Sequence, residues 1–358
     1  MKNSRVLKVI KEMELQGLSQ IIVTSPASIY YLTGKWIEAG ERMVALYLTS
    51  SGNHKFIVNK LFPVENNLGI DIVWYTDSDD SVEVLSKVLE NDKTLGIDKD
   101  WSAKFLIRLM ELNVVKGFVN SSPIIDSLRM IKDAEEIELM RKSSQINDRV
   151  MLKLQSELKE GMTEKYAQRL LAEIYEQEGA SDFSFTPIIA FDTNGADPHS
   201  NCGDTKLKKG DTVVLDIGGL YNHYCSDMTR TVFFGEEPND HKKEIYEIVK
   251  QANLNAIKKV KDGVKFSEID SAARSYIESK GYGEFFTHRT GHSIGLETHD
   301  KGDVSSINHD EVKAGMIFSI EPGIYLKDDI GVRIEDLVLV TKDGAEILNS
   351  VTKDIIVI

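Results

Sequence analysis

Apolar residues in the first third of the chain recur at helical spacing and then in short unbroken runs. Val6, Leu7, Ile10 and Met13 share one face of a helix predicted over 3–16; Gly17 closes it, and Ile21, Ile22 and Val23 begin a strand. Strands at 43–49 and 55–59 flank Ser50-Ser51-Gly52-Asn53, a hairpin turn. Further strands are predicted at 72–75, 95–97 and 114–119, and helices at 82–89 and 103–112. This alternation predicts a small α/β domain over residues 1–126.

The pattern changes near 127–132. One long charged helix is predicted over 133–158, with Ile137, Met140, Ile146, Val150 and Leu154 as its apolar positions. Gly161 ends it, and Thr163 is suited to cap a second helix running to 178. Strands over 183–234 follow, then helices at 241–261 and 266–279, then strands to the end. No residue-level repeat accompanies this recurrence of element order. It predicts an α+β domain over 127–358 with internal pseudo-symmetry.

Composition narrows the function. The chain has 358 residues, 41% of them hydrophobic, enough for two packed domains, and carries a formal charge of −14 from 57 acidic and 43 basic side chains. Nucleic acid is not an expected partner, because phosphate binding relies on clustered Lys and Arg. Charge keeps interrupting the apolar residues of the first twenty positions and no run of about 18 apolar residues occurs, so neither a signal segment nor a membrane span is expected, and the chain is expected in the cytoplasm. Two cysteines, Cys202 and Cys225, suit a reducing compartment and lack the spacing of a thiolate zinc site.

Candidate chemistry begins at 212–234, TVVLDIGGLYNHYCSDMTRTVFF, where Asp216 interrupts an apolar strand and Asp227 lies eleven residues later. A hairpin folded about Tyr221 and Asn222 would set the two carboxylates directly opposite, roughly 5 Å apart, where they would repel without a cation or proton between them. The second half holds a matching pair. Glu321 ends the apolar stretch 316–320, and Glu335 alternates with Val332 and Ile334 in GVRIEDLVLV. Between them, THRTGHSIGLETHD carries His288, His292 and His299, three of the eight histidines. Four carboxylates and an imidazole form a mixed oxygen and nitrogen set suited to two divalent ions such as Mn, Co, Zn or Fe, and a metal pair supports hydrolysis. The glycines match no phosphate loop, and no GxSxG elbow occurs.

At these residues the chain resembles the pita-bread metallopeptidases, specifically the proline-specific Xaa-Pro dipeptidases and aminopeptidase P. NGADPH at 194–199, VLDIGG, YCSDMTRT, HRTGHSIGLETH at 288–299, SIEPGIY at 319–325 and GVRIED at 331–336 are similar to that family's motifs and occur in its order. YYLTG at 30–34, followed by Glu41-Arg42, resembles its creatinase/prolidase-type amino-terminal domain.

The resemblance implies that Asp216, Asp227, His292, Glu321 and Glu335 bind two metal ions, Mn or Co first, with Asp227 and Glu335 shared between them. It implies that Glu321 shuttles a proton of the attacking water and that His199 and His299 meet the substrate carbonyl and its developing oxyanion. His288 would line the pocket beyond the scissile bond, and Arg333 would orient a ligand carboxylate beside the substrate. The implied activity is release of the residue before proline from dipeptides or short peptides, and the 41–42 loop implies a homodimer. Asp303 departs from a basic residue that some dipeptidases place there; if it points into the pocket, it repels a product carboxylate. The alternative class is a non-catalytic pita-bread module that binds peptides or proteins.

Overall fold

The computed structural model describes residues 1–64 and 68–358. Contacts divide the chain into two units, Met1–Arg129 and Met130–Ile358.

In the first unit a six-stranded mixed sheet runs in the order Asp71–Tyr75, Lys55–Asn59, Ala45–Thr49, Gln20–Val23, Thr94–Ile97, Gly117–Asn120. Gln20–Val23 pairs antiparallel with Ala45–Thr49 and parallel with Thr94–Ile97, so the sheet is parallel on one side of its centre and mixed on the other. The predicted helices appear as Asn3–Leu15, Ser81–Ser86 and Ala103–Leu112. Two more were not predicted. Pro26–Thr33 is buried around most of its circumference, so its apolar residues show no period. It is nonetheless well capped: the Ser25 hydroxyl accepts from Ser28 N at 3.1 Å, and Gly34 closes it at φ +76°. Ser122–Met130 is the other, at the junction that composition alone marked only as a change. Arg42 of the implied dimer loop makes a two-pronged contact with Asp77, at 2.9 and 2.8 Å, within the first unit.

The second unit opens with Ala134–Glu157, fixed by a capping box in which Asp133 accepts from Glu136 N at 3.0 Å and Glu136 accepts from Asp133 N at 2.9 Å. Thr163 caps Glu164–Glu178 through Tyr166 N, as its position predicted. Val150, Leu154 and Leu171 from this pair bury against Val213 and Leu215 of Thr212–Ile217. The arrangement then recurs. Asp240–Lys259 and Phe266–Ser279 bury Ile245, Val249 and Ile269 against Phe318 and Val338, on Ile317–Ile320 and Asp336–Val340. Each such side chain contributes about 1.5–3 kcal/mol of burial, which holds the two antiparallel pairs from which the acids project. Among the described residues no helix is long and apolar enough to cross a membrane.

The hairpin register differs from the expectation. Thr212–Ile217 pairs with Met228–Phe233 so that Asp216 opposes Thr229, not Asp227. The turn centres one position later, on Asn222 and His223, both at positive φ (48° and 68°), the backbone that a tight two-residue hairpin demands. Asp227 therefore lies diagonally from Asp216 on the same face, a relation of about 7–8 Å between backbones that long side chains still span.

Candidate metal centre and its pocket

The five predicted ligands sit where strands begin, end or break. Asp216 is near the end of Thr212–Ile217, Asp227 precedes Met228–Phe233, and His292 closes the short strand Gly291–His292. Glu321 follows Ile317–Ile320, and Glu335 lies between Ile330–Arg333 and Asp336–Val340. These positions join through backbone bonds: Glu335 N donates to Thr229 O at 3.1 Å, and Glu321 N to Thr290 O at 2.8 Å. Gly291 allows His292 to approach so closely, since a Cβ there would lie 1.8 Å from Ser319 O. Asp227, His292 and Glu335 each offer one ligand atom, all within 4.8 Å of one another, and Glu321 Oε1 is 3.4 Å from His292 Nε2. Asp216 is turned partly aside, its Oδ2 accepting from Arg333 Nη2 at 2.6 Å.

The electrostatics of this cluster call for a cation. Burial, and then the charge of Glu335, Asp216 and Glu321, drive Asp227 well above its ordinary value; burial, and then Glu321 and Asp216, do the same to Glu335. Asp216 Oδ1 and Asp227 Oδ1 are buried without a hydrogen-bond partner among the described residues. Burial pulls His292 down to about 4, with Arg289 adding to the effect, so its imidazole is neutral near pH 7, the state a metal requires. Unmatched acceptors, crowded carboxylates and a neutral imidazole fit divalent metal ions.

All nine predicted site residues line a single cavity of about 710 Å³: the five above together with His199, His288, His299 and Arg333. His299 packs edge-on against His292, ring centroids 4.3 Å apart, and burial pulls it too down to about 4. Arg333 is threaded through the wall, donating from Nη1 to Tyr325 Oη at 2.9 Å and from Nε to Thr229 Oγ1 at 3.1 Å. Thr229 Oγ1 in turn donates to Glu335 Oε2 at 2.7 Å, and Tyr325 Oη lies 2.8 Å from His288 Nε2. Thr229 and Tyr325 were not predicted as site residues. Both stand inside quoted motifs, YCSDMTRT and SIEPGIY, so the signal was present but read only for charge.

His199 depends on another residue that sequence reasoning passed over. Glu164, fully buried, accepts from Phe191 N at 2.9 Å, Asn194 Nδ2 at 2.8 Å and Gly203 N at 2.7 Å, closing both ends of the loop that carries Pro198 and His199. An acid in the first turn of a helix is an ordinary dipole partner, so the sequence carries no signal for this role. Glu164→Gln puts an amide where only acceptors are needed, so unfolding free energy in urea is expected to fall by about 1–3 kcal/mol. Amide exchange at Phe191 and Gly203 is expected to quicken; unchanged protection there would show that the loop is held by other means.

Asp303 is not among the residues that line the cavity. It pairs across the strands with His292 and makes an ion pair with Arg289, which itself lines the cavity.

Comparison with known proteins adds the following. Metallopeptidase family M24 matches residues 138–342, and the creatinase/prolidase N-terminal domain matches 5–131. An uncharacterized peptidase of Staphylococcus aureus is 37% identical, covering 98% of this chain and all of its own. Among solved structures, a prolidase from Thermococcus sibiricus superposes with a TM-score of 0.95 at 33% identity, over 100% of this chain and 99% of that one. An X-Pro aminopeptidase from Thermotoga maritima superposes with a TM-score of 0.85 at 30% identity, over 97% and 100% of the two chains.

Proposed function

The chain belongs to metallopeptidase family M24, and on that premise we propose that it is a dinuclear peptidase hydrolysing the Xaa-Pro bond at the amino end of dipeptides or short peptides. The observation that carries this reading is the convergence of Asp227, His292, Glu335 and Glu321 in one cavity with unmatched buried acceptors. The Thermococcus structure's name, prolidase, and the Thermotoga structure's, X-Pro aminopeptidase, support it.

Asp216, Asp227, His292, Glu321 and Glu335 would hold two divalent ions, Asp227 and Glu335 being shared; a thiolate-free oxygen-rich set suits Mn or Co, then Zn or Fe. Such ions, when bound, polarise a carbonyl and acidify water. Glu321, whose Oε1 accepts from Ser319 Oγ at 3.1 Å, takes a proton from the attacking water and delivers it to the proline nitrogen as the C–N bond breaks. His199 and His299 donate N–H groups to the carbonyl oxygen as it gains charge. His299 is neutral at working pH, so it does this without bringing a competing positive charge to the metals. An imide offers no N–H for recognition, so proline is selected by shape; Phe185, Ile188 and Pro198 supply an apolar wall for its ring.

The test uses chelator-treated protein reloaded with Mn or Co, assayed on Ala-Pro and Ala-Pro-Gly. Hydrolysis is expected only in the reloaded samples, with the cut before proline. Inactivity on Xaa-Pro peptides across Mn, Co, Zn and Fe would reject the assignment.

A further inference from the structure

Two guanidinium groups line the cavity, and they differ in what they have left to give. Arg333 is sealed into the wall, its donors engaged by Asp216, Thr229 and Tyr325. Arg289 is about one-third exposed (34%) and directs Nη1 at Asp303, while its Nε and Nη2 have no partner among the described residues. A half-used guanidinium fork is a ready receptor for a second carboxylate, since its remaining N–H groups match the spacing of two oxygens.

On the peptidase reading above, we infer that Arg289 receives the free carboxylate of a terminal proline and so makes the pocket selective for dipeptides. The carboxylate of Xaa-Pro is borne on the carbon bonded to the leaving nitrogen, so it must enter beside the metal ligands. Four acidic side chains already crowd that space, and Arg289 is the lining cation with donors to spare. Asp303 then acts as a positioning residue. It anchors one edge of the guanidinium from the neighbouring strand, and its negative charge is met by Arg289 before any ligand arrives. A longer peptide presents a neutral amide at the same point and gains nothing from this contact.

The experiment compares kcat/KM for Ala-Pro and its carboxamide, Ala-Pro-NH2, using Mn-loaded parent, Arg289→Met and Arg289→Lys. Each acid-to-amide ratio comes from one preparation, so partial misfolding cancels. The parent is expected to favour the acid by about 10- to 100-fold, the range for a hydrogen bond to a charged group. Arg289→Met brings the ratio close to one, and Arg289→Lys leaves an intermediate value. A parent that cleaves acid and amide equally, or an Arg289→Met ratio equal to the parent's, overturns the role given to Arg289 while leaving the peptidase reading intact. A metal-loaded parent that cleaves neither overturns both.

Discussion

Asp227→Asn is expected to erase the metal-dependent stabilisation of the protein while leaving the metal-free form at least as stable as the parent. The carboxylate is buried, one of its oxygens has no partner, and the charges around it are mostly of its own sign. Without metal, removing that charge relieves repulsion; with metal, it removes a ligand. Thermal unfolding with and without Mn measures both. A bound ligand at a hundred times its Kd contributes about 2.7 kcal/mol, and this increment is expected to vanish in the variant, with turnover falling by more than the roughly 10–100-fold typical of lost outer partners.

The pH dependence has a definite sign. Asp227 and Glu335 are displaced upward from ordinary values of 3.8 and 4.5, so the metal-free folded state holds protons that the unfolded chain has released. Their contribution to stability is complete below those values and is lost as pH rises through the displaced ones. The metal-free parent therefore weakens at this site from acid toward neutral pH, and Asp227→Asn flattens the slope. A metal-free variant several kcal/mol less stable than the parent would mean that hydrogen bonds, not a cation, satisfy Asp227.

Arg230→Met is expected to cost about 3–5 kcal/mol in urea unfolding, the range for breaking a buried ion pair from one side. Arg230 is fully buried and binds Asp336 Oδ1 at 2.7 Å, Val351 O at 2.7 Å, Thr229 O at 2.9 Å and Thr352 O at 3.1 Å. It also donates to Glu335 O at 2.5 Å, so one side chain ties the C-terminal segment to the backbone of a proposed metal ligand. Burial works to raise Asp336, and Arg230 with Lys353 overcomes it and holds the group below its ordinary value. Methionine leaves Asp336 with Lys353 alone, at 2.6 Å, and strands several buried carbonyls. Weaker metal binding is expected alongside. A loss under about 1 kcal/mol would show that desolvation of the pair cancels its attraction.

What could be read from the chain was whatever a residue type reveals through its neighbours in sequence. The long helices are legible because Val150 and Leu154, or Ile245 and Val249, repeat with the helical period and meet the core. Asp216, Asp227, Glu321 and Glu335 stood out because acids in apolar strands lack an ordinary explanation, and those residues do line one cavity. Pro26–Thr33 was missed because burial on most sides leaves no period to read. The hairpin register slipped because it depends on which two residues adopt positive φ, here Asn222 and His223, and the pattern of apolar and polar positions does not report that.

The amino-acid order alone thus determined most of the element types, the class of fold and the acids and histidines that gather in one cavity. Tertiary structure alone decided who meets whom. Arg333 finds Asp216 117 positions away, Thr229 finds Glu335 106 positions away, and Arg289 takes up Asp303. Periodicity reports which way a side chain faces relative to its own helix or strand. The partner it meets is set by how separate strands dock, and that depends on packing and backbone bonds summed over the whole unit.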